Sequence, residues 1–189
     1  GGVWKSTDSG TTWIPLGDSL AVMGISSIAI SAANSNVLYV ATGDADGGDT
    51  YSIGVLKSTD GGLTWAEVGN VGGNLRDIVI DPLDEDIVYV ASNNGVYKTI
   101  NGGTTWNQVI AGSFRDIELK PGTAATVYAA TSDEVSYSTN GGTTWTVATG
   151  IPNGSSRIAL AVTPANNAYV YVLRANGGGD YGGIYRSSN

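Results

Sequence analysis

The stretch Ser58-Thr59-Asp60-Gly61-Gly62-Leu63-Thr64-Trp65 decides the fold, because the chain carries the same eight-residue phrase four times. The other copies span residues 6–13, 99–106 and 138–145, and the opening of a further copy stands at 187–189. The starts of the four copies, at residues 6, 58, 99 and 138, lie 52, 41 and 39 residues apart. A fixed phrase at such intervals indicates a repeat protein, and the interval selects the repeat architecture. We call this eight-residue segment the turn phrase.

Each turn phrase is surrounded by segments typical of β-strands. Around the third copy, Ile78-Val79-Ile80, Ile87-Val88-Tyr89-Val90-Ala91 and Gly95-Val96-Tyr97-Lys98 precede the phrase, and Trp106 opens a fourth segment. Their β-branched and aromatic residues and their alternation predict strands, here named A, B, C and D in chain order. A four-stranded antiparallel sheet repeated about every 40 residues predicts an all-β chain built from β-propeller blades. A β-sandwich would not repeat the phrase, and a β-helix would have a shorter period.

The strand pattern divides the chain into three complete blades and two partial blades. The complete blades are predicted at 25–74, 75–113 and 114–156, and the partial blades at 1–24 and 157–189. Both partial blades supply a strand C, so closing the chain into a ring would duplicate that strand. We therefore expect a partial propeller that belongs to a larger one, with a ring of four or five blades as the alternative.

The turn phrase has a structural explanation at the connection between strands C and D. Its third position is always Asp or Asn, whose short side chain accepts backbone N–H groups of its own turn. Its fifth position is always glycine, which adopts a left-handed backbone readily, and its eighth is a tryptophan that can anchor the hairpin. Asn replaces Asp in two copies, which favours this role over catalysis or metal binding. The residues assigned to it are Asp8, Trp13, Asp60, Trp65, Asn101, Trp106, Asn140 and Trp145.

These phrases resemble the Asp-box, also called the BNR repeat, with the pattern S-x-D-x-G-x-T-W. That repeat occurs in sialidases, in xyloglucanase-type glycoside hydrolases, in sortilin-type receptor domains and in a photosystem assembly factor. The unit from Arg76 to Trp106 is most similar to the xyloglucanase-like and sortilin-like branch, and the resemblance covers nearly the whole chain. It implies a propeller fold but selects no activity, because one fold serves hydrolases, receptors and assembly factors. A sialidase is disfavoured, because Arg157 falls out of register with Arg76 and Arg115 and the usual R-I-P phrase is absent.

Composition limits the partners and the chemistry. The net charge of −8 and the pI near 4.2 disfavour a nucleic-acid partner and an anionic membrane surface. The chain has no His and no Cys, so any catalysis would use carboxylates, Tyr or Arg. No run approaches the length of a membrane span, so membrane insertion is not expected. Together with the resemblance, this composition suggests a secreted or cell-surface bacterial protein.

The connections between strands B and C are expected to carry ligand contacts, because binding residues concentrate on loops held by a rigid scaffold. Two of them, 42–53 and 174–182, are long and should project from the edge opposite the turn phrases. Asp44, Asp46 and Asp49 are spaced like the first half of a calcium loop, which makes calcium a candidate cofactor and a solvated acidic loop the alternative. Tyr51 and Tyr181 could stack on sugars. The predicted ligand-binding residues are Asp44, Asp46, Asp49, Tyr51, Asp180 and Tyr181.

Two strands A begin with the same pair of residues, Arg76-Asp77 and Arg115-Asp116. Carboxylates on this face are candidates for the acid and base of glycosidic-bond hydrolysis. Repetition within one chain favours instead an Asp–Arg pair that fixes neighbouring blades, because an active site needs each group only once. Asp77 and Asp116 are therefore candidate catalytic residues with a structural alternative.

The residues favour a non-catalytic binding or scaffold module of a larger secreted or cell-surface protein. Its partners would be a polysaccharide or a protein or peptide ligand, together with the remaining blades of the parent chain. The first alternative is part of a xyloglucanase-like glycoside hydrolase acting on β-glucans. In that family catalysis lies between two propellers with one carboxylate from each, so this chain would carry at most half of it. The second alternative is a sortilin-like peptide-binding domain.

Overall fold

The computed structural model describes residues 2–18, 20–45, 50–69, 71–123 and 125–187. These residues form seventeen strands in five sheets, and no helix is present among them. Within each sheet every strand pairs antiparallel with the next strand along the chain. The strand order A–B–C–D predicted around the turn phrase is therefore the order observed.

Three of the sheets have four strands and two have fewer. Sheet I pairs β1 (Trp4–Lys5) with β2 (Ile14–Pro15). Sheet II contains β3 (Ile25–Ile30), β4 (Leu38–Thr42), β5 (Val55–Ser58) and β6 (Ala66–Gly69). Sheet III contains β7 (Leu75–Asp81), β8 (Asp84–Ser92), β9 (Gly95–Thr99) and β10 (Asn107–Ala111). Sheet IV contains β11 (Asp116–Leu119), β12 (Val127–Ala130), β13 (Val135–Ser138) and β14 (Thr146–Val147). Sheet V contains β15 (Ser155–Val162), β16 (Val170–Asn176) and β17 (Tyr181–Ser187).

One strand crosses a predicted blade limit. β15 begins at Ser155, two residues before the predicted start of the last partial blade at 157. The reason is that Ser155 already pairs with Asn176 across a register shift that ends at Arg157. The predicted blade limits remain predictions, because they assign whole blades rather than strands.

The hydrophobic core consists of layers between successive sheets. Alternation along each strand places one side of a sheet against the preceding sheet and the other side against the following one. Between sheets II and III, Tyr39, Ala41 and Val55 share a buried cluster with Leu75 and Ile78. Similar layers lie between sheets I and II, III and IV, and IV and V. Full burial of a side chain such as Ile78 stabilises the fold by about 1.5–3 kcal/mol, so each sheet depends on its neighbours.

The turn phrase closes the connection between strands C and D with one network of hydrogen bonds. In the second copy, Ser58 Oγ and the backbone N–H of Thr64 both donate to Asp60 Oδ1, at 2.8 Å and 2.9 Å. In the third copy, Asn101 Oδ1 accepts the backbone N–H of Thr105 at 2.9 Å, and Asn101 Nδ2 donates to the Thr105 hydroxyl at 3.0 Å. In the Asp copy the equivalent threonine hydroxyl is the donor instead. Because a hydroxyl can donate or accept, Asp and Asn close the same turn.

The tryptophans of the second and third turn phrases donate a hydrogen bond to the preceding sheet. Trp145 Nε1 instead donates to Gly142 O of its own phrase at 3.1 Å, and its ring packs against the core between sheets III and IV. Trp65 Nε1 donates to Leu16 O at 3.1 Å, and Trp106 Nε1 donates to Val68 O at 2.9 Å. Val68 belongs to strand D of the preceding sheet, and Leu16 directly follows strand D of sheet I. Trp13 belongs to sheet I, which has no sheet before it among the described residues, and its side chain is 58% exposed.

A tyrosine and a lysine form a second contact between sheets III and IV. The register of β8 and β9 places Tyr89 opposite Lys98, whose Nζ lies 5.1 Å from the centre of the Tyr89 ring. Lys98 Nζ and the Tyr89 hydroxyl both donate to Gly141 O, at 2.9 Å and 3.2 Å. Gly141 lies in the turn phrase of sheet IV. The preceding sheet thus holds the turn phrase through both polar and apolar contacts.

Candidate functional site

Strands A of sheets II to V lie next to one another, and this position gathers three carboxyl groups. The register places four residues at equivalent positions on successive strands A, namely Ser27, Asp77, Asp116 and Ala159. The predicted candidates Asp77 and Asp116 are therefore neighbours. Glu118 lies two residues after Asp116 and so on the same side of β11. We call Asp77, Asp116 and Glu118 the carboxyl cluster.

Both oxygens of Asp77 accept hydrogen bonds, and the donors come from three strands A. Asp77 Oδ1 accepts from Ser27 Oγ of β3 at 2.8 Å and from the backbone N–H of Ile78 at 2.9 Å. Asp77 Oδ2 accepts from the backbone N–H of Ile117 of β11 at 3.1 Å. The side chain thus links sheets II, III and IV. Burial raises the pKa of the Asp77 carboxyl above its ordinary value, and the hydrogen bonds from Ser27, Ile117 and Ile78 act in the opposite direction.

Asp116 repeats this arrangement one sheet further along. Its Oδ2 accepts the backbone N–H of Leu160 of β15 at 2.8 Å, as Asp77 accepts that of Ile117. Burial, together with the negative charge of Asp77, raises the pKa of Asp116 to about 6, while the hydrogen bond from Leu160 N–H acts in the opposite direction. Two carboxyl groups at neighbouring positions disfavour each other's ionisation, so Asp77 and Asp116 titrate as a coupled pair.

Glu118 is the third member of the carboxyl cluster and was missed by the sequence analysis. Burial raises the pKa of Glu118 to about 7, and the charges of Asp116 and Asp77 add to that effect. The sequence did contain a signal, because a carboxylate two residues after Asp116 in a predicted strand must lie on the same face. Glu118 lies opposite Tyr128 in the register of β11 and β12.

The carboxyl cluster combines structural contacts with acid–base potential. Asp77 and Asp116 hold backbone N–H groups of the next strand A, which corresponds to the structural interpretation of these residues. The predicted Asp–Arg pair stays a prediction. Among its bonds, Arg76 Nη1 donates to Ser113 Oγ at 3.0 Å and to Phe114 O at 3.1 Å, both of which lie in the segment between β10 and β11. A carboxyl whose pKa is raised towards neutral pH beside a second carboxyl is also the pattern of a general acid with its partner. The two interpretations of Asp77 and Asp116 therefore lead to different experiments, given below.

Four of the predicted ligand-binding residues, Asp44, Tyr51, Asp180 and Tyr181, are among the described residues and lie at the B–C edge, in sheets II and V. Tyr51 lies in the connection between β4 and β5, and its side chain is 69% exposed. Tyr181 begins β17 in sheet V and is 73% exposed. Asp44 and Thr50 line an open pocket of about 410 Å³ with Ile25. Asp46 and Asp49 lie outside the described residues.

The second connection predicted to be long is short in the structure. β16 extends to Asn176 and β17 starts at Tyr181, so only residues 177–180 remain between them. Asn176 closes this turn, because its Oδ1 accepts the backbone N–H groups of Gly178 and Asp180 at 2.9 Å and 3.0 Å. The prediction of a projecting loop at 174–182 was therefore wrong, although Asp180 and Tyr181 do lie at the tip of the hairpin.

The calcium interpretation stays a prediction. Among the residues that can be described, no group of three or more His, Cys, Asp or Glu side chains is arranged to hold a metal ion. That statement covers the carboxyl cluster but not the acidic loop, since Asp46 and Asp49 are not described. The same part of the chain contains no helix with the length and apolar character that a membrane crossing requires.

The pKa values of the turn-phrase carboxylates are lowered, whereas those of the carboxyl cluster are raised. Hydrogen bonds from the Thr12 hydroxyl and backbone N–H lower the pKa of Asp8 to about 2. The corresponding bonds from Thr64 lower the pKa of Asp60 to about 2. Both groups therefore stay ionised at neutral pH and hold their turns as hydrogen-bond acceptors.

Curated relatives of this chain are xyloglucanases. The xyloglucanase Xgh74A of Acetivibrio thermocellus is 32% identical over 126 residues, which cover 58% of this chain and 15% of that enzyme. A xyloglucanase of a Paenibacillus species is 29% identical over 126 residues, covering 58% of this chain and 12% of the enzyme. The chain thus matches only about a seventh of the length of these relatives. It matches none of the known protein-family models.

Solved structures support the same fold. The GH74 enzyme of Niastella koreensis superposes with a TM-score of 0.79 at 24% identity, over 98% of this chain and 32% of that one. The GH74 xyloglucanase of Xanthomonas campestris superposes with a TM-score of 0.77 at 19% identity, over 100% of this chain and 33% of that one. At these identities the likeness concerns the fold alone. The prediction of an all-β partial propeller with four-stranded antiparallel blades is confirmed, and the chain is a β-propeller segment of xyloglucanase-like fold.

Proposed function

We propose that this chain is a non-catalytic, polysaccharide-binding propeller segment of a larger xyloglucanase-like protein that acts outside the cytoplasm. The observation that carries the proposal is the 32% identity over 126 residues with a xyloglucanase. The proposed ligand is therefore a β-glucan. The identification of the turn phrase with the Asp-box supports this choice without selecting it, because that repeat also occurs in receptors.

The exposed tyrosines at the B–C edge are the proposed sugar contacts. Tyr51 and Tyr181 expose 69% and 73% of their side chains and can offer a flat apolar face to a pyranose ring. Asp44 and Asp180 lie on the same connections and can accept hydrogen bonds from sugar hydroxyls. The carboxyl cluster takes no part in this function, because Asp77 and Asp116 are engaged with the backbone of neighbouring strands.

Affinity electrophoresis in gels with and without xyloglucan tests the proposal. The full chain should be retarded by the polysaccharide, and Tyr51→Ala and Tyr181→Ala should each weaken the retardation several-fold. Leu83→Ala is the matched control, because Leu83 is 74% exposed but lies between β7 and β8 at the opposite edge. Unretarded wild-type protein, or an equal loss in Leu83→Ala, would refute the proposal. Retardation by a peptide ligand instead would favour the sortilin-like alternative.

The hydrolase alternative rests on the protonation of the carboxyl cluster. A pKa of about 6 at Asp116 and of about 7 at Glu118 would suit a general acid. Reducing-sugar release from β-glucans by the complete protein is the assay, with Asp77→Asn, Asp116→Asn and Glu118→Gln as variants. A catalytic group predicts a loss of kcat of at least 100-fold with unchanged thermal stability. A structural group predicts changes in stability with kcat retained.

A further inference from the structure

The carboxyl cluster lies where the first strands of sheets III, IV and V meet. Asp77 Oδ2 accepts Ile117 N–H at 3.1 Å, and Asp116 Oδ2 accepts Leu160 N–H at 2.8 Å, so each carboxyl connects its own sheet to the next. The two carboxyls lie at equivalent positions on neighbouring strands A, and the charge of Asp77 acts on Asp116. Ionisation of both groups therefore places two like charges side by side in the contact between sheets III and IV.

We propose that Asp77, Asp116 and Glu118 form a pH-responsive contact between sheets III, IV and V, closed while the carboxyl cluster holds its protons and weakened when it loses them. Loss of the Asp116 proton leaves two like charges at neighbouring positions on strands A of sheets III and IV. Ionisation of Glu118 adds a third negative charge on the same side of β11. The proposal is independent of which ligand the chain binds.

The ionisable groups that the packed strands bring towards the carboxyl cluster are one tyrosine and three arginines. β3 brings Ser27 but no ionisable residue, β12 brings Tyr128, and β15 brings Arg157. The Arg76 guanidinium is directed to Ser113 and Phe114, and Arg115 precedes β11. The charges that act on Glu118 are those of Asp116 and Asp77.

The hydroxyl groups of the tyrosines on the adjoining strands B point away from the carboxyl cluster. Tyr39 of β4 donates its hydroxyl to Glu85 O at 3.1 Å, and Tyr89 of β8 donates to Gly141 O at 3.2 Å. Both acceptors lie at the edge that carries the turn phrases. These hydroxyls therefore do not supply a proton to Asp77 or Asp116.

The direction of the pH effect follows from linkage. A carboxyl whose pKa is raised on folding binds more protons in the folded state than in the unfolded state, so stability falls as pH rises through the folded pKa. Burial raises the pKa of Asp116 to about 6 and of Glu118 to about 7. The stabilising effect of these protons is complete below about pH 4 and is lost between about pH 5 and pH 7.5.

This pH window is well suited to a test, because the chain has no histidine. Ordinary carboxyls titrate below it, and Tyr and Lys side chains titrate above it. Thermal unfolding of the full chain from pH 5 to pH 7.5 should show the midpoint falling by roughly 5 °C or more. Asp116→Asn imitates the protonated state, because its carbonyl can accept Leu160 N–H while its amide donates to Asp77.

Variants show whether the carboxyl cluster causes the fall in melting temperature with rising pH, which we call the pH slope. Asp116→Asn and Glu118→Gln should each reduce the pH slope, and Asp116→Asn should melt at a higher temperature than the wild type at pH 7.5. Asp60→Asn is the matched control, because it removes one exposed carboxylate at a position where two other turn phrases carry Asn. It should keep the wild-type slope. A wild-type midpoint that is constant or rises with pH would overturn the proposal, as would an undiminished slope in both cluster variants or an equal flattening in Asp60→Asn.

Discussion

Replacing Gly103 with alanine tests how closely the turn phrase meets the preceding sheet. Gly103 has a φ of 95°, and a Cβ at this position would lie 2.7 Å from Val68 Cβ and 2.8 Å from Val68 O. The left-handed backbone costs an alanine about 1 kcal/mol, and relieving an overpacked contact costs about 1–3 kcal/mol. The carbonyl cannot rotate away as a side chain could, because it belongs to the backbone and accepts Trp106 Nε1 at 2.9 Å. Gly103→Ala should therefore lower the free energy of unfolding by about 2–4 kcal/mol.

Two equivalent glycines separate the backbone contribution from the contact. Gly10 has a φ of 87°, but its Cβ would meet only Trp13 Cζ2, at 3.8 Å. Gly10→Ala should therefore cost only the backbone strain of about 1 kcal/mol. Gly142 is intermediate, because its Cβ would lie 3.3 Å from Val109 Cβ. The expected order of destabilisation is Gly10→Ala, then Gly142→Ala, then Gly103→Ala.

Urea unfolding followed by far-UV circular dichroism and tryptophan fluorescence measures this series. With an unfolding slope of about 2 kcal/mol/M, Gly103→Ala should shift the midpoint by about 1–2 M and Gly10→Ala by about 0.5 M. Equal shifts for these two variants would show that the backbone alone requires glycine. The close approach between the turn phrase and strand D would then have no energetic weight, and the reasoning would be refuted.

Four further outcomes are expected. Ser9→Gly should stabilise the protein by about 0.5–1 kcal/mol in thermal unfolding, because Ser9 has a φ of 58° where the other three copies carry glycine, and Ser9→Ala should bring no gain. Asn101→Asp should change stability by less than about 0.5 kcal/mol, whereas Asn101→Ala should cost about 1 kcal/mol, because only the alanine loses the Thr105 contact. Asp8 and Asp60 have pKa values lowered to about 2, so their contribution is complete above about pH 4 and is lost as pH falls towards 2, and the double Asn variant should show a shallower acid decline in melting temperature. If the acidic loop binds calcium, EDTA should lower the melting temperature, and an unchanged melt would exclude a stabilising calcium ion.

The fold was predictable because the turn phrase specifies both a local turn and its neighbourhood. An Asx residue, a glycine and a tryptophan at fixed spacing define the connection between two strands, and everything else in a unit can be counted from it. The length of the second B–C connection was not predictable in the same way. Glycine-rich sequence indicated a loop, but Asn176 closes a four-residue turn and lets both strands extend.

The candidate site was only partly predictable. Equivalent positions in the repeat identified Asp77 and Asp116, and the sequence suggested arginine as their partner. The observed donors include Ser27 Oγ and backbone N–H groups of the next sheet, and a backbone group leaves no trace in the residue pattern. Glu118 was overlooked because one residue that differs from Val79 and Ala29 in the other repeats looks like ordinary variation. Its importance depends on the neighbouring strand, which only the packing of the sheets reveals.

The contact between a turn phrase and the strand before it has a consequence for how such a protein can evolve. Sheet II carries in its turn phrase the tryptophan that bonds to sheet I, and in its strand D the carbonyl that receives the tryptophan of sheet III. A unit duplicated within the gene would already contain both partners of the contact between a turn phrase and the preceding strand D. The opposite edge takes no part in this contact, so its connections can differ in length. The B–C connection comprises residues 43–54 in sheet II but only residues 93–94 in sheet III. Novelty can therefore accumulate at one edge of the propeller while the other is inherited unchanged.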